Sequence, residues 1–564
     1  MGMSSPPGAV PSKKRCLIIL SRKACLVKGL SALFFTCTGG APHRIAQNSP
    51  WKGGLCALSS FLSGALWLTA AGLFSQLAGF GYRIALSRMV GAEVIGLYQL
   101  IMPVYAALMS LTASGLTVAL STCAARSQAL GDHGALLQAR RRALILFFCL
   151  AGPLGAAVVL CSDPISVCLL GDARTRLGVV LLVPCVLLTG VENLHKHCFY
   201  GTGQFRSPAL SEMAEQLIRA GAVLLLVRLA QPCSRERAVG AIVLGMVVCE
   251  VFSACTLTAL FRRRLGEQCR LPAKASVPFR QLLAVAVPVA ATSLLGTALG
   301  SLNAVLIPAK LVEGGAAPEA ALSSFGVLCG MTMPLIALPT GLIGALCLML
   351  SPSLSRKSAL GHAGAVEHDL GRAVGAVSLL AAPALAMLAV VAPYLARLLF
   401  REPDAGAWAL PLAVGTLLSC YQSVLGSALN GLGRPGAAAA AAIAADAVQL
   451  AFTFFTVGHC GLAGFVAGFA ASSLVGALLS FAFLRRCTRL RLDVLGRLVC
   501  PLLACTLAAL CMRPFLLWCL DGGMARGSAC ALSCGLGLVV YLAALQAQGL
   551  LSAGRRIRLR EFFR

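Results

Sequence analysis

Long apolar runs separated by short polar breaks fill most of this chain, and their length sets the scale of its elements. A run of about 20 residues, rising about 1.5 Å per residue as a helix, covers the roughly 30 Å of a bilayer's hydrocarbon core. Such runs fall at residues 60–86, 95–122, 143–162, 177–196, 208–229, 238–261 and 280–307, and again at 323–350, 373–396, 408–429, 437–457, 461–484, 497–518 and 528–549. They predict an all-α integral membrane protein with about fourteen spanning helices. Strands do not fit, because open sheets leave peptide groups unpaired in lipid and barrel strands are short and alternating.

The pattern also repeats. "STCAARSQALGD" at residues 121–132 returns as "SPSLSRKSALGH" at 351–362, matching Ser121, Arg126 and Gly131 to Ser351, Arg356 and Gly361. At the same offset, "LLTGVENLHKHCFYGTG" from Leu187 returns as "LLSCYQSVLGSALNGLG" from Leu417, pairing Gly201 and Gly203 with Gly431 and Gly433. Pro103 and Pro334 correspond one residue out of register. Landmarks of like orientation six spans apart predict a parallel repeat about an axis along the membrane normal. The organisation expected is a basic arm (1–56), an N-lobe of six helices (57–265), a basic linker (266–279), a C-lobe of six helices (280–486), and two further helices with a basic tail (487–564). Two facing lobes enclose a cavity that rocking exposes to alternate sides, the architecture of a transporter.

Composition agrees: with 58% hydrophobic and 12% charged residues and a mean hydropathy of +0.85, soluble classes are excluded. The net charge of +27 would suit nucleic acid, but its placement excludes that partner. Most Lys and Arg fall before the first span, in alternate loops and in the tail, so both termini are expected in the cytoplasm, with the protein in the cell membrane. The arm reads as a disordered basic segment near anionic lipids, or as an artefact of the start codon. The 25 cysteines are odd in number, without C-x-x-C, and mostly inside apolar runs, which makes them small core residues and not metal ligands. No cofactor motif is present, and neither H-E-x-x-H nor a nucleophile elbow marks an enzyme. A channel would need a filter or pore ring, and none is visible.

The run "GFGYRIALSRMVGAEVIGLYQLIMPVYAALMSLTASGLTVALS", residues 79–121, resembles the first two helices of the stage V sporulation protein B and polysaccharide-transport family, whose superfamily also holds MATE-like multidrug antiporters and lipid II flippases. Gly91 to Gln99 is its most specific part. Residues 333–356 and "LNGLGRPG" at 429–436 extend the likeness, which covers about residues 60–490. The resemblance implies flipping or export of a lipid-linked saccharide, such as a peptidoglycan precursor for the spore cortex, with H+ or Na+ as a coupling ion.

Charges inside spanning helices are costly and usually face a cavity. Arg83 and Arg88 lie in the best-matched stretch, where a guanidinium could hold a diphosphate bidentately or snorkel to headgroups. Where the family often carries an arginine ahead of its Gly-Phe pair, "SQLAGF" places neutral Gln76. Glu215 and Arg219 stand at i and i+4, either self-neutralising or lining a cavity near mid-membrane. Asp446, at the corresponding depth of the C-lobe, and Glu250 are candidates for the coupling ion. Glu192, His195 and His197 read as a polar helix end at headgroup level, and Arg513 is assigned no role. The expected function is alternating-access flipping of a lipid-linked saccharide. The alternatives are a cation-coupled multidrug antiporter and a non-transporting scaffold for cell-wall enzymes.

Overall fold

The computed structural model describes residues 50–230, 234–266, 278–402, 404–488 and 495–549. Residues 1–49 of the basic arm, 267–277 of the linker and 550–564 of the tail lie outside them. Every regular element among the described residues is helical. The principal helices are α1 (Pro50–Met109), α2 (Gly115–Leu130), α3 (His133–Leu160), α4 (Arg176–Gly201), α5 (Arg206–Ala230), α6 (Arg235–Phe261) and α7 (Phe279–Glu313). They are followed by α8 (Pro318–Ile336) and α9 (Thr340–Ala359), then α10 (Ala363–Phe400), α11 (Ala409–Gly431), α12 (Pro435–Cys460), α13 (Leu462–Cys487), α14 (Cys500–Asp521) and α15 (Arg526–Ala547).

Twelve helices among the described residues are long and apolar enough to cross a membrane, against the fourteen spans expected. Two features account for the difference. The first two expected spans belong to one helical stretch, Trp67–Gln128, whose backbone leaves helical geometry at Gly91 (φ 78°, ψ 173°). That region is open to glycine at little steric cost, so the chain bends there without losing its helical course on either side. The second is α5, which carries Glu212, Glu215 and Arg219 along its length and so falls outside the apolar class. The expected span 323–350 is itself interrupted, since the helix ends at Ile336 and resumes at Thr340.

The sequence repeat has a packing counterpart. α2 packs on α4, α4 on α6, and α5 on α6; likewise α9 packs on α11, α11 on α13, and α12 on α13. At the end of α4, Gly201 lies so close to α2 that a Cβ there would collide with the Ser121 carbonyl. At the end of α11, Gly431 meets α9 in the same way, a Cβ falling 2.5 Å from the Ser351 carbonyl oxygen. Thus Ser121 with Gly201, and Ser351 with Gly431, are the two copies of one backbone-to-backbone contact, which explains why both segments were kept. Gly203 and Gly433 then turn the chain at φ 74° in each copy, with Gln204 and Arg434 donating back to the Phe199 and Leu429 carbonyls at 2.9 Å. These are the left-handed caps that only glycine adopts freely. Arg126 and Arg356 are exposed at the matching ends.

The last two helices join α10 through two small apolar clusters, one around Ala382, Ala508 and Tyr541 and the other around Val391, Met512 and Cys530. Leucines such as Leu225, Leu229 and Leu510 are exposed on the outer surfaces, as helix faces turned to lipid would be.

Candidate functional site

A cavity of about 880 Å3 opens between α1, α5, α8, α9, α11 and α13. α1 contributes Gln76, Gly79, Phe80 and Arg83, whose spacing places them on one helix face. Gln216 and Arg219 reach it from α5, and Thr416, Ser419 and Ser423 from α11. No Asp or Glu among the described residues lines it. Arg83 has neither a hydrogen bond nor an ion pair among the described residues. An unpaired guanidinium in an apolar helix is expensive, so the cavity holds a cation left open to a ligand or to water.

Gln76 has a local task. At the break between α8 and α9 the carbonyls leave the helical ladder, that of Ala337 accepting a turn bond from the Thr340 N–H at 3.0 Å. Gln76 Nε2 donates to two of them, Ala337 at 3.0 Å and Leu338 at 3.1 Å, and Thr340 Oγ1 donates to Ala337 at 2.7 Å. The neutral amide thereby anchors the unwound segment and directs only its own oxygen elsewhere.

Behind Arg219 lies a buried charge network. Its Nη2 donates to Glu215 Oε1 at 2.6 Å and Glu250 Oε1 at 3.1 Å. Lys196 Nζ bridges Glu192 at 2.5 Å and Glu215 at 3.3 Å, and Ser253 Oγ donates to Glu215 Oε2 at 3.3 Å. Glu192, Glu215 and Glu250 are all buried, so three carboxylates share two cations. Charges at such sites persist only when paired. One carboxylate remains in excess, and Glu250 Oε2 and Arg219 Nε are buried without a hydrogen-bond partner. Ligand atoms of Glu215, Cys249 and Glu250 also lie within 4.8 Å of one another, although the adjacent Arg219 and Lys196 already answer most of that negative charge.

His195 is buried; its Nδ1 donates to the Val191 carbonyl at 2.7 Å and its Nε2 accepts from Arg140 at 3.1 Å. With a carbonyl on one nitrogen and a guanidinium on the other, the ring is neutral. Glu192 is buried in the network too, because α4 is covered here by α3 and α6.

Three candidates stand elsewhere. Arg88 is turned from the cavity: Nε donates to the Leu399 carbonyl at 2.5 Å and Nη2 to that of Leu398 at 2.8 Å, capping the end of α10. A guanidinium committed to terminal carbonyls has little of its fork left for a phosphate. Glu215 does not line the cavity and touches it only through Arg219. Asp446 lines a separate cavity, with no second carboxylate in its wall.

The family-like run from Gly91 to Gln99 acquires a reason. Beyond the bend at Gly91, Glu93 pairs with Arg174 and Arg235, both at 2.7 Å, and Arg235 also holds Glu319 of α8 at 3.0 Å. Next to these, a Cβ on Gly96 would strike the Leu322 carbonyl, and one on Gly326 the Ala92 carbonyl. α1 and α8 therefore close backbone against backbone at this end of the cavity. Gln99, one turn further in, reaches the cavity wall. Sequence reading missed Lys196, Gln216, Gln99 and this seal. Lys196 had a signal in its i, i+4 spacing from Glu192; the pairing of Arg235 with Glu93 and Glu319 had none.

Comparison with known proteins fits this arrangement. Stage V sporulation protein B of Bacillus subtilis (strain 168) is 27% identical over 391 residues, 68% of this chain and 75% of that protein. Sporulation protein YkvU of the same organism is 23% identical over 385 residues, 67% of this chain and 83% of that one. Among solved structures, the lipid II flippase MurJ in an inward closed conformation shares the fold at a TM-score of 0.62 and 11% identity, covering 86% of this chain and 100% of that one. The inward-facing conformation of a multidrug resistance MATE family transporter of the MOP superfamily does so at 0.61 and 16%, covering 75% and 97%. The family model for polysaccharide biosynthesis protein matches residues 61–357, over half of the chain. With its helices arranged in the fold of these transporters, the chain belongs to the polysaccharide biosynthesis protein family.

Proposed function

We propose that this protein moves a lipid-linked saccharide across the cell membrane by alternating access, with Arg83 and Arg219 receiving the anionic bridge between lipid and sugar. The observation that carries this reading is a cavity whose wall holds two guanidiniums and, among the described residues, no carboxylate, with Arg83 making no hydrogen bond or ion pair among them. A diphosphate offers what Arg83 lacks, and the planar fork of arginine matches it. A multidrug antiporter for cations would need the opposite charge in this wall, and its aromatic share is limited to Phe80 and Phe469. The network's excess carboxylate, with Glu250 Oε2 buried and without a hydrogen-bond partner, is the natural seat of a coupling ion, H+ or Na+.

With both termini cytoplasmic, as the placement of Lys and Arg supports, the backbone seal at Gly96 and Gly326 belongs to a state closed to the outside. Two natural cysteines test that orientation. Single-cysteine proteins retaining exposed Cys168 or exposed Cys487 should react with an impermeant maleimide from the outside for Cys168 and only from the cytoplasm for Cys487. The reverse pattern overturns the orientation.

For the function itself, fluorescent lipid-linked saccharide in proteoliposomes should be flipped by the wild type. Arg83→Lys should be impaired, and Arg83→Ala should lose about tenfold or more, as expected for a charge-assisted bidentate contact. Native rates in both variants would remove Arg83 from the site. Extrusion of a cationic dye with no flipping would favour the antiporter, and neither activity would favour the scaffold.

A further inference from the structure

A second cavity, about 630 Å3, runs between α11, α12 and α13 and shares Ser419, Ser423 and Phe469 with the first. The two are therefore neighbouring chambers with a common wall, yet their chemistry is opposite. Among the described residues no Lys or Arg lines the second chamber, and its charged side chain is Asp446. Counted from Pro435 and Pro208, Asp446 holds nearly the position in its helix that Arg219 holds in α5.

The room comes from alanines of α12, among them Ala438, Ala442 and Ala445. The polar groups come from α12 itself, through Asp446, and from the facing helices α11 and α13. Gln422, Asn430, Asp446 and Ser473 all line the chamber, and none has a side-chain hydrogen bond or ion pair among the described residues. Their neighbour Gln449 is in contrast engaged with Thr453, the Phe465 carbonyl and Ser472. Inside a protein, polar groups are ordinarily paired with protein, water or ligand. Four unpaired side chains converging on one space, offering two amides, a hydroxyl and a carboxylate, amount to a surface for hydrogen bonding without a net positive field. A second phosphate would be repelled by Asp446, and an acyl chain would strand every one of these groups.

We infer that this chamber is the subsite for the saccharide of the cargo. A carboxylate accepts hydrogen bonds from two adjacent ring hydroxyls, while Gln422 and Asn430 offer a donor and an acceptor each, suited to hydroxyl and acetamido groups. The inference rests on the proposed function: with the diphosphate at Arg83 and Arg219, the sugar lies next to the wall formed by Ser419 and Ser423 and enters the second chamber there.

Two probes separate this subsite from the reading it rests on: farnesyl diphosphate, and the same lipid carrying N-acetylglucosamine on its diphosphate. Binding is measured to the full-length protein in nanodiscs. The wild type should prefer the glycosylated probe by about tenfold, the scale of one or two hydrogen bonds to a charged group. Asp446→Asn, which keeps the volume, and Gln422→Leu should each bring that preference down at least about threefold, with farnesyl diphosphate affinity unchanged. Equal affinity of the wild type for both probes overturns the subsite. So does a preference that survives in both variants, or a loss that affects both probes alike. Failure of either probe to bind, or binding of farnesyl diphosphate that Arg83→Ala leaves intact, overturns the proposed function and the subsite with it.

Discussion

Arg219→Ala should yield a protein that neither transports nor withstands mild heating in detergent. Arg219 faces the cavity while holding Glu215 and Glu250 from behind. Its removal leaves three buried carboxylates to Lys196 alone, and breaking a buried pair by deleting one partner costs about 3–5 kcal/mol. Arg83→Ala removes a cation that has no hydrogen bond or ion pair among the described residues, so it should lose transport and keep its thermal midpoint. The contrast distinguishes the two arginines in one experiment. A double variant, Arg219→Met with Glu250→Gln, removes a charge of each sign and should recover much of the lost stability without recovering flipping. An unshifted midpoint for Arg219→Ala would mean that the network is not a structural unit, and native flipping would dismiss Arg219 from the cavity's work.

Gly96→Leu should leave the protein folded and unable to complete its cycle. At this position even a Cβ collides with the Leu322 carbonyl, and the opposed Gly326 makes the same approach to Ala92. Overfilling a tight contact costs about 1–3 kcal/mol. On the proposed alternating access, that cost falls on one state, because α1 and α8 would touch only when the seal is shut. The ion pairs of Glu93 and Glu319 with Arg235 would be drawn apart with it. A cysteine placed at Ser423, in the cavity wall, in an otherwise cysteine-free protein, should then react with an impermeant reagent from the outside several times faster than in the parent. Gly72→Leu is the control, since its Cβ meets nothing within 4 Å. Labelling and flipping at parental rates in Gly96→Leu would show that this contact is no gate.

Much of the architecture could be read from the order of residues alone. Hydropathy is a local property, and a spanning helix satisfies its own backbone, so membrane placement and most helix positions follow from the apolar runs without knowledge of their neighbours. The repeat was equally legible, because glycine at a left-handed cap or a backbone contact is dictated by sterics at that residue: Gly203 with Gly433, and Gly201 with Gly431. Arg83 and Arg219 were identifiable as costly charges inside helices. The same reasoning raised Arg88, which caps α10 instead, since hydropathy reports depth along a helix and says nothing of the direction a side chain takes around it. Of the fourteen expected runs, two share the stretch bent at Gly91 and a third is the charged helix α5, so twelve helices among the described residues are long and apolar enough to cross a membrane. Only the packing of α4, α5 and α6 in their actual rotations brings Lys196, Glu215, Arg219 and Glu250 together. Only the approach of α1 to α8 converts Gly96 and Gly326 into a seal. These contacts join residues distant in sequence, and their energy exists only once the helices have docked.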